Sequence, residues 1–107
     1  MTLVQEKCKP CQGGEPTLSV AGAEELARQT PEWSLEDKVI ERQFRFKDFR
    51  EAIAFVNKVA NLAEGEGHHP DIFISWNKVR LTLTTHRIGG LSRNDFILAA
   101  KIDELLS

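Results

Sequence analysis

The chain has 107 residues, 41% of them apolar and 28% charged, an ordinary balance for one globular domain that excludes global disorder. Lys and Arg number 14 against 16 Asp and Glu, and the resulting net charge of −2 gives no electrostatic footprint for nucleic acid. No apolar run reaches the length of a membrane span, and the N-terminus lacks the charged start and apolar middle of a signal peptide, so a soluble, cytoplasmic chain is expected.

Residues 1–18 carry Pro10, Gly13, Gly14 and Pro16 without sustained periodicity, and read as an extended or mobile tail ahead of one domain over 19–107. Both cysteines lie in this tail, as Cys8-Lys9-Pro10-Cys11. That pattern alone leaves four readings open: two plain thiols, a redox pair, half of a zinc site, or a disulfide. Residues 19–29 hold mostly good helix formers and end just before Pro31, which predicts a short helix. Residues 33–35 and 38–46 read as strands joined at Glu36-Asp37. In the second strand Ile40, Phe44 and Phe46 share a face, with Arg42 the exception.

Asp48 and Glu51 make a capping-box-like start for the strongest helix. Its predicted stripe is Phe49, Ile53, Val56, Ala60 and Ala63, widened by Ala52, Phe55 and Val59, with Gly65 and Gly67 ending it. Residues 71–76 and 77–85 read as two more strands. Val79, Leu81 and Leu83 point one way, and Arg80, Thr82, Thr84 and His86 the other, which puts the His86 ring on the polar side if the pleat continues. Gly89-Gly90 breaks the strand. Ser92-x-x-Asp95 then caps a last helix with Leu98, Ala99, Ile102, Leu105 and Leu106 as its buried stripe. The order after the short first helix is β-β-α-β-β-α. This predicts an α+β, two-layer domain: a four-stranded antiparallel sheet with helices on one face and the other face partly uncovered, a natural place for subunit contacts.

All three histidines fall between Glu64 and Asp95, in the pattern Glu64-x3-His68-His69-Pro70-x5-Trp76-x9-His86-x8-Asp95. Imidazole titrates near neutral pH, so a chain that keeps its whole histidine supply in one window suggests proton transfer. Each residue also has an ordinary role: solvated loop histidines, a helix-end glutamate, a capping aspartate, a core tryptophan or a pocket wall with a stacking face. Adjacent histidines before a proline do not match the helical i, i+4 pair of a zinc hydrolase, and no metal is expected.

The combined pattern resembles the pterin-4a-carbinolamine dehydratase (4a-hydroxytetrahydrobiopterin dehydratase) family. Trp76-Asn77-Lys78-Val79, Thr84-Thr85-His86, the stretch Gly90-Leu91-Ser92-x-x-Asp95-Phe96-x-Leu98-Ala99 and the Cys-x-Pro-Cys-x-Gly-Gly lead reinforce it. The resemblance implies the same β-β-α-β-β-α domain, homodimers or homotetramers, and dehydration of 4a-hydroxytetrahydropterin to quinonoid dihydropterin without cofactor. By that resemblance His68 and His86 handle the proton at the departing hydroxyl, and His69 holds the pterin and shares base duty. Glu64 and Asp95 fix the imidazoles, while Pro70, Trp76, Thr85 and Arg87 help bind or orient. Members of the family can also bind a transcription factor as a dimerisation partner, and relatives of the fold act as assembly factors, which gives a binding role as the alternative.

Overall fold

Alternation along two central strands decides which side of the sheet is buried. In the computed structural model, which describes residues 2–10 and 16–106, strands β1 (Ser34–Glu36), β2 (Val39–Arg45), β3 (Asp71–Ser75) and β4 (Lys78–Leu83) form one antiparallel sheet in the order β1-β2-β4-β3. Ile40 pairs with Leu83 and Phe44 with Val79, so the apolar residues of β2 and β4 meet on one face. All four are buried, while Gln43, Arg45 and Arg80 between them are exposed. Helices α2 (Phe49–Glu66) and α3 (Arg93–Glu104) cover the apolar face, and α1 (Val20–Ala27) packs on α3 and β1. The α+β architecture predicted from the pattern is therefore the one observed.

Arg42 sits on the inward face because α3 supplies its partner. Its guanidinium donates to Asp103 Oδ1 at 2.6 Å and lies 4.5 Å from the centre of the Phe44 ring. The same carboxylate oxygen accepts the indole N–H of Trp33 at 2.9 Å. Trp33, Phe44, Phe55 and Phe46 form a chain of ring contacts with centroids 4.8–6.1 Å apart. Such pairs contribute about 0.5–1.5 kcal/mol each beyond the area they bury.

Both long helices turn slightly from their predicted faces. In α2, Ala52, Phe55, Val59 and Ala63 form the buried line, whereas Phe49 is 50% exposed and Ala60 faces out. Phe49 is the first helical residue, ahead of the point where the helix meets the sheet. Gly65 stays helical, and the helix stops at Gly67, whose φ of 69° is left-handed and costs glycine little. In α3, Phe96 and Ile97 join Leu98, Ala99 and Ile102 inside, while Leu106 is exposed.

The described part of the N-terminal lead is not a loose tail. Leu3 is buried in a one-turn 3-10 helix, Leu3–Gln5, that packs on α3. Lys101 Nζ donates to the Val4 carbonyl at 3.0 Å, and Arg93 grips Glu6 through two bonds of 2.7 and 2.6 Å. The Cys8 N–H donates to Glu66 Oε1 at 2.9 Å. Cys8 carries a free, buried thiol. Burial, and then the neighbouring Glu66 carboxylate, push that thiol up to about 12, the reverse of what a reactive redox cysteine needs. Cys11 lies outside the described residues.

The open sheet face is mainly polar, with Phe73 lying beneath the Arg80 guanidinium at 4.7 Å. Exposed apolar side chains gather instead on edge strand β3 and its turn: Ile72, Phe73, Ile74 and Trp76. Among the described residues, no helix packs closely on this edge.

Candidate active site

Gly67 delivers the histidines. Its N–H returns to the Ala63 carbonyl at 2.9 Å, and the left-handed turn swings His68 and His69 off the end of α2. Pro70 disfavours helical backbone at His69 and leads into β3, and the two imidazoles engage different partners. His68 Nε2 meets Asp95 Oδ1 at 2.5 Å, and His69 Nε2 meets Glu64 Oε2 at 2.5 Å. The first pair is inside the protein, the second on its surface. An exposed pair of that kind holds orientation more than it adds stability.

Asp95 is fully buried, and three groups satisfy it. Besides His68, its Oδ2 accepts the Ser92 backbone N–H at 2.9 Å and the Thr85 hydroxyl at 2.8 Å. The predicted cap is thus present, and the same carboxylate serves an imidazole from another element. Thr85 and Ser92 also share a hydroxyl bond of 2.7 Å. Since the Thr85 hydrogen goes to Asp95, the Ser92 hydroxyl is the donor there.

His86 does not continue the pleat. Strand β4 ends at Leu83, Thr85 forms an isolated bridge to Gly90, and residues His86–Ile88 make a one-turn 3-10 helix closed by Gly89 at φ 75°. At Gly90 a Cβ would meet the Thr17 methyl at 2.8 Å, so the loop returns where only glycine fits. The effect is to turn the chain off the strand at His86, whose side chain lines the cleft.

These turns bring His68, His69 and His86 to one cleft of about 360 Å³. That volume lies in the range of about 300–1,000 Å³ usual for small-molecule sites. Thr84, Thr85 and Arg87 continue the wall beside His86, and Gly67 lies under the histidine pair. Lys9, Pro10 and Asn94 complete the lining. None of those three is a predicted site residue: Pro10 belongs to the Cys-x-Pro-Cys lead but, like Lys9, lies in a segment that reads as a tail, and Asn94 is a polar residue buried inside a helix start. A larger depression of about 560 Å³ shares Lys9, Pro10 and Asn94 with this cleft but contains no histidine. Chemistry, rather than size, singles out the former.

Four predicted residues fall outside the lining, and of these Glu64 and Asp95 stand directly behind it, bonded to His69 and His68. Trp76 is 67% exposed in the β3–β4 turn at φ 53°, neither core nor wall of this cleft. Pro70 is half-buried and shapes the segment without lining the cleft. Among the described residues, no three His, Cys, Asp or Glu side chains group as a metal would require, and no helix is long and apolar enough to cross a membrane.

A small α+β domain that gathers three imidazoles and a buried carboxylate at one cleft has the equipment of a proton-transfer site. The chain belongs to the family described as Pterin 4 alpha carbinolamine dehydratase, whose family model matches residues 16–105. It is 50% identical over 106 residues to a protein of Methylococcus capsulatus, covering 97% of this chain and 93% of that one. It is 48% identical over 104 residues to one of Rubrobacter xylanophilus, covering 96% and 97%. Both relatives carry pterin-4-alpha-carbinolamine dehydratase as a provisional name. A crystal structure described as a transcriptional coactivator/pterin dehydratase from Brucella melitensis superposes with a TM-score of 0.80 at 32% identity, over 85% of this chain and 99% of that chain.

Proposed function

We propose that this protein dehydrates 4a-hydroxytetrahydropterin to quinonoid dihydropterin, recycling the pterin cofactor of aromatic amino-acid hydroxylases in the cytoplasm. The observation that carries this reading is the convergence of His68, His69 and His86 on one cleft, with His68 tied to a buried carboxylate. In the reaction the carbon–oxygen bond at C4a breaks and hydroxide leaves with an added proton as water. The neighbouring ring nitrogen gives up its proton, and a carbon–nitrogen double bond forms. Atoms and charge balance without oxidant, metal or cofactor.

One general acid and one general base suffice, each typically contributing about 10²–10⁴-fold. His68 and His86 take the proton work at the hydroxyl. Because Asp95 engages Nε2 of His68, Nδ1 is the nitrogen left to exchange a proton with an occupant. His69, oriented by Glu64, holds the pterin and shares base duty, and Thr85 and Arg87 line its seat.

The test is the rate of decay of enzymatically generated 4a-hydroxytetrahydropterin. The protein should accelerate decay in the presence of a chelator. His86→Ala should lower that rate by about 10²–10⁴-fold with the far-UV spectrum unchanged. No acceleration over spontaneous dehydration by the unaltered protein would end the proposal.

Self-association belongs to the same reading, with the apolar β3 edge as the contact that makes a homodimer or, through it, a homotetramer. That edge also favours a second role as a dimerisation or assembly partner of another protein, which is compatible with the enzyme activity.

A further inference from the structure

One wall of the histidine cleft lies outside residues 16–105, the stretch the family model matches. Lys9 and Pro10 form it. They reach the cleft because the lead is pinned from Leu3 to Lys9. The last pin is the tightest: Asn94 Oδ1 accepts the Lys9 N–H at 2.9 Å while Asn94 Nδ2 donates to the Lys9 carbonyl at 2.5 Å. Asn94 is 7% exposed and itself lines the cleft, so the clamp is part of the wall. A backbone gripped on both sides by one buried amide is a fixed point from which the exposed lysine stem extends.

Charge supplies the second argument. The lining holds Lys9, Arg87 and three imidazoles, and no carboxylate. The two acids nearest the histidines, Asp95 and Glu64, are bonded to His68 and His69. In a chain of net charge −2, the Lys9 and Arg87 side chains make this lining locally cationic. Such a cleft favours an occupant that presents acceptor oxygens, and an ammonium with three rotatable donors can follow one without demanding a fixed angle.

We infer that Lys9 is a substrate-binding residue of this site, its ammonium donating to an oxygen of the bound pterin, on the ring carbonyl or on the side chain. The inference rests on the dehydratase reading. It adds a contact that positions the substrate and transfers no proton.

The experiment compares Lys9→Ala, Lys9→Arg and Lys7→Ala with the unaltered full chain. Lys7 is an exposed lysine of the same lead outside the cleft lining. Lys9→Ala should raise KM about tenfold, the size of one charge-assisted hydrogen bond at a half-open site, with kcat within about twofold. Lys9→Arg should recover most of the loss, and Lys7→Ala should leave KM unchanged. The thermal midpoint should not move, because the clamp uses the backbone of residue 9. A 6-methyl analogue run beside a hydroxylated side-chain substrate separates the two oxygens: loss with both places the contact on the ring, loss with the hydroxylated one alone places it on the side chain. Titration with a dihydropterin, read by fluorescence, gives the same comparison without turnover. An active protein whose KM and pterin affinity ignore Lys9→Ala would overturn the inference alone. A protein that neither binds nor dehydrates the pterin would overturn it together with the dehydratase reading.

Discussion

Asp95 shows how much a single side chain can be asked to do. A capping carboxylate contributes about 0.5–2 kcal/mol when it acts only on the helix start. Here its removal also leaves the Thr85 hydroxyl and His68 without their buried acceptor. Each orphaned group costs about 1–3 kcal/mol, so Asp95→Ala should lose more than about 2 kcal/mol in urea unfolding and slow turnover as well. A loss within the capping range, with normal turnover, would confine Asp95 to the helix. The cap itself was legible, because Ser-x-x-Asp has a fixed local geometry. The bond to His68 was not, because 27 residues and two strands separate the partners; only the family resemblance pointed to it. Trp76 departs from its predicted place for a related reason. A large aromatic at the end of an alternating run suggests burial, but the chain reverses one residue earlier and leaves the ring in the turn.

At the scale of elements, the sequence period gave the right helices and strands and missed what happens between them. The pleat of β4 predicted a direction for His86 that the Thr85–Gly90 bridge cancels. The α2 stripe lies one position from its predicted centre because small alanines weigh little in a hydrophobic pattern. The lead reads as a tail because its anchors are polar and distant: Glu6 to Arg93, Cys8 to Glu66, Lys9 to Asn94. Its hold should depend on acidity. Arg93, by its hydrogen bond, keeps the Glu6 carboxyl below the ordinary 4.5. Burial would raise Glu66, but the Cys8 backbone N–H and then the Lys101 and Lys7 charges outweigh it, and its carboxyl too stays below 4.5. Depressed carboxylates stabilise the folded state above their ordinary pKa, and that contribution is lost as pH falls through the folded value. Between about pH 5 and pH 3 the amides of Glu6, Cys8 and Lys9 should therefore lose hydrogen-exchange protection, relative to intrinsic rates, before those of α2 and α3. Arg93→Ala should weaken the same amides at neutral pH. Protection that persists to about pH 3 would show that apolar packing of Leu3 holds the lead by itself.

For the whole molecule, the sheet and its helical cover follow from alternation and element order, which is why the architecture was readable in advance. The position of its unsatisfied surface was not, because strand order β1-β2-β4-β3 places β3 at an edge, and nothing local to residues 71–75 says so. An edge strand bearing Ile72, Phe73 and Ile74 invites pairing with another strand. Ile72→Lys with Ile74→Lys should shift sedimentation from an oligomer to the monomer, and an unshifted profile would move the interface elsewhere. The two tryptophans stand on opposite sides of this question. Trp33 is 4% exposed beneath α3, and Trp76 is 67% exposed at the hairpin tip. The chain thus carries two intrinsic optical reporters with separate subjects: the sheltered indole changes colour when the interior opens, and the outer one, open to dissolved iodide, changes when a neighbour settles on the rim.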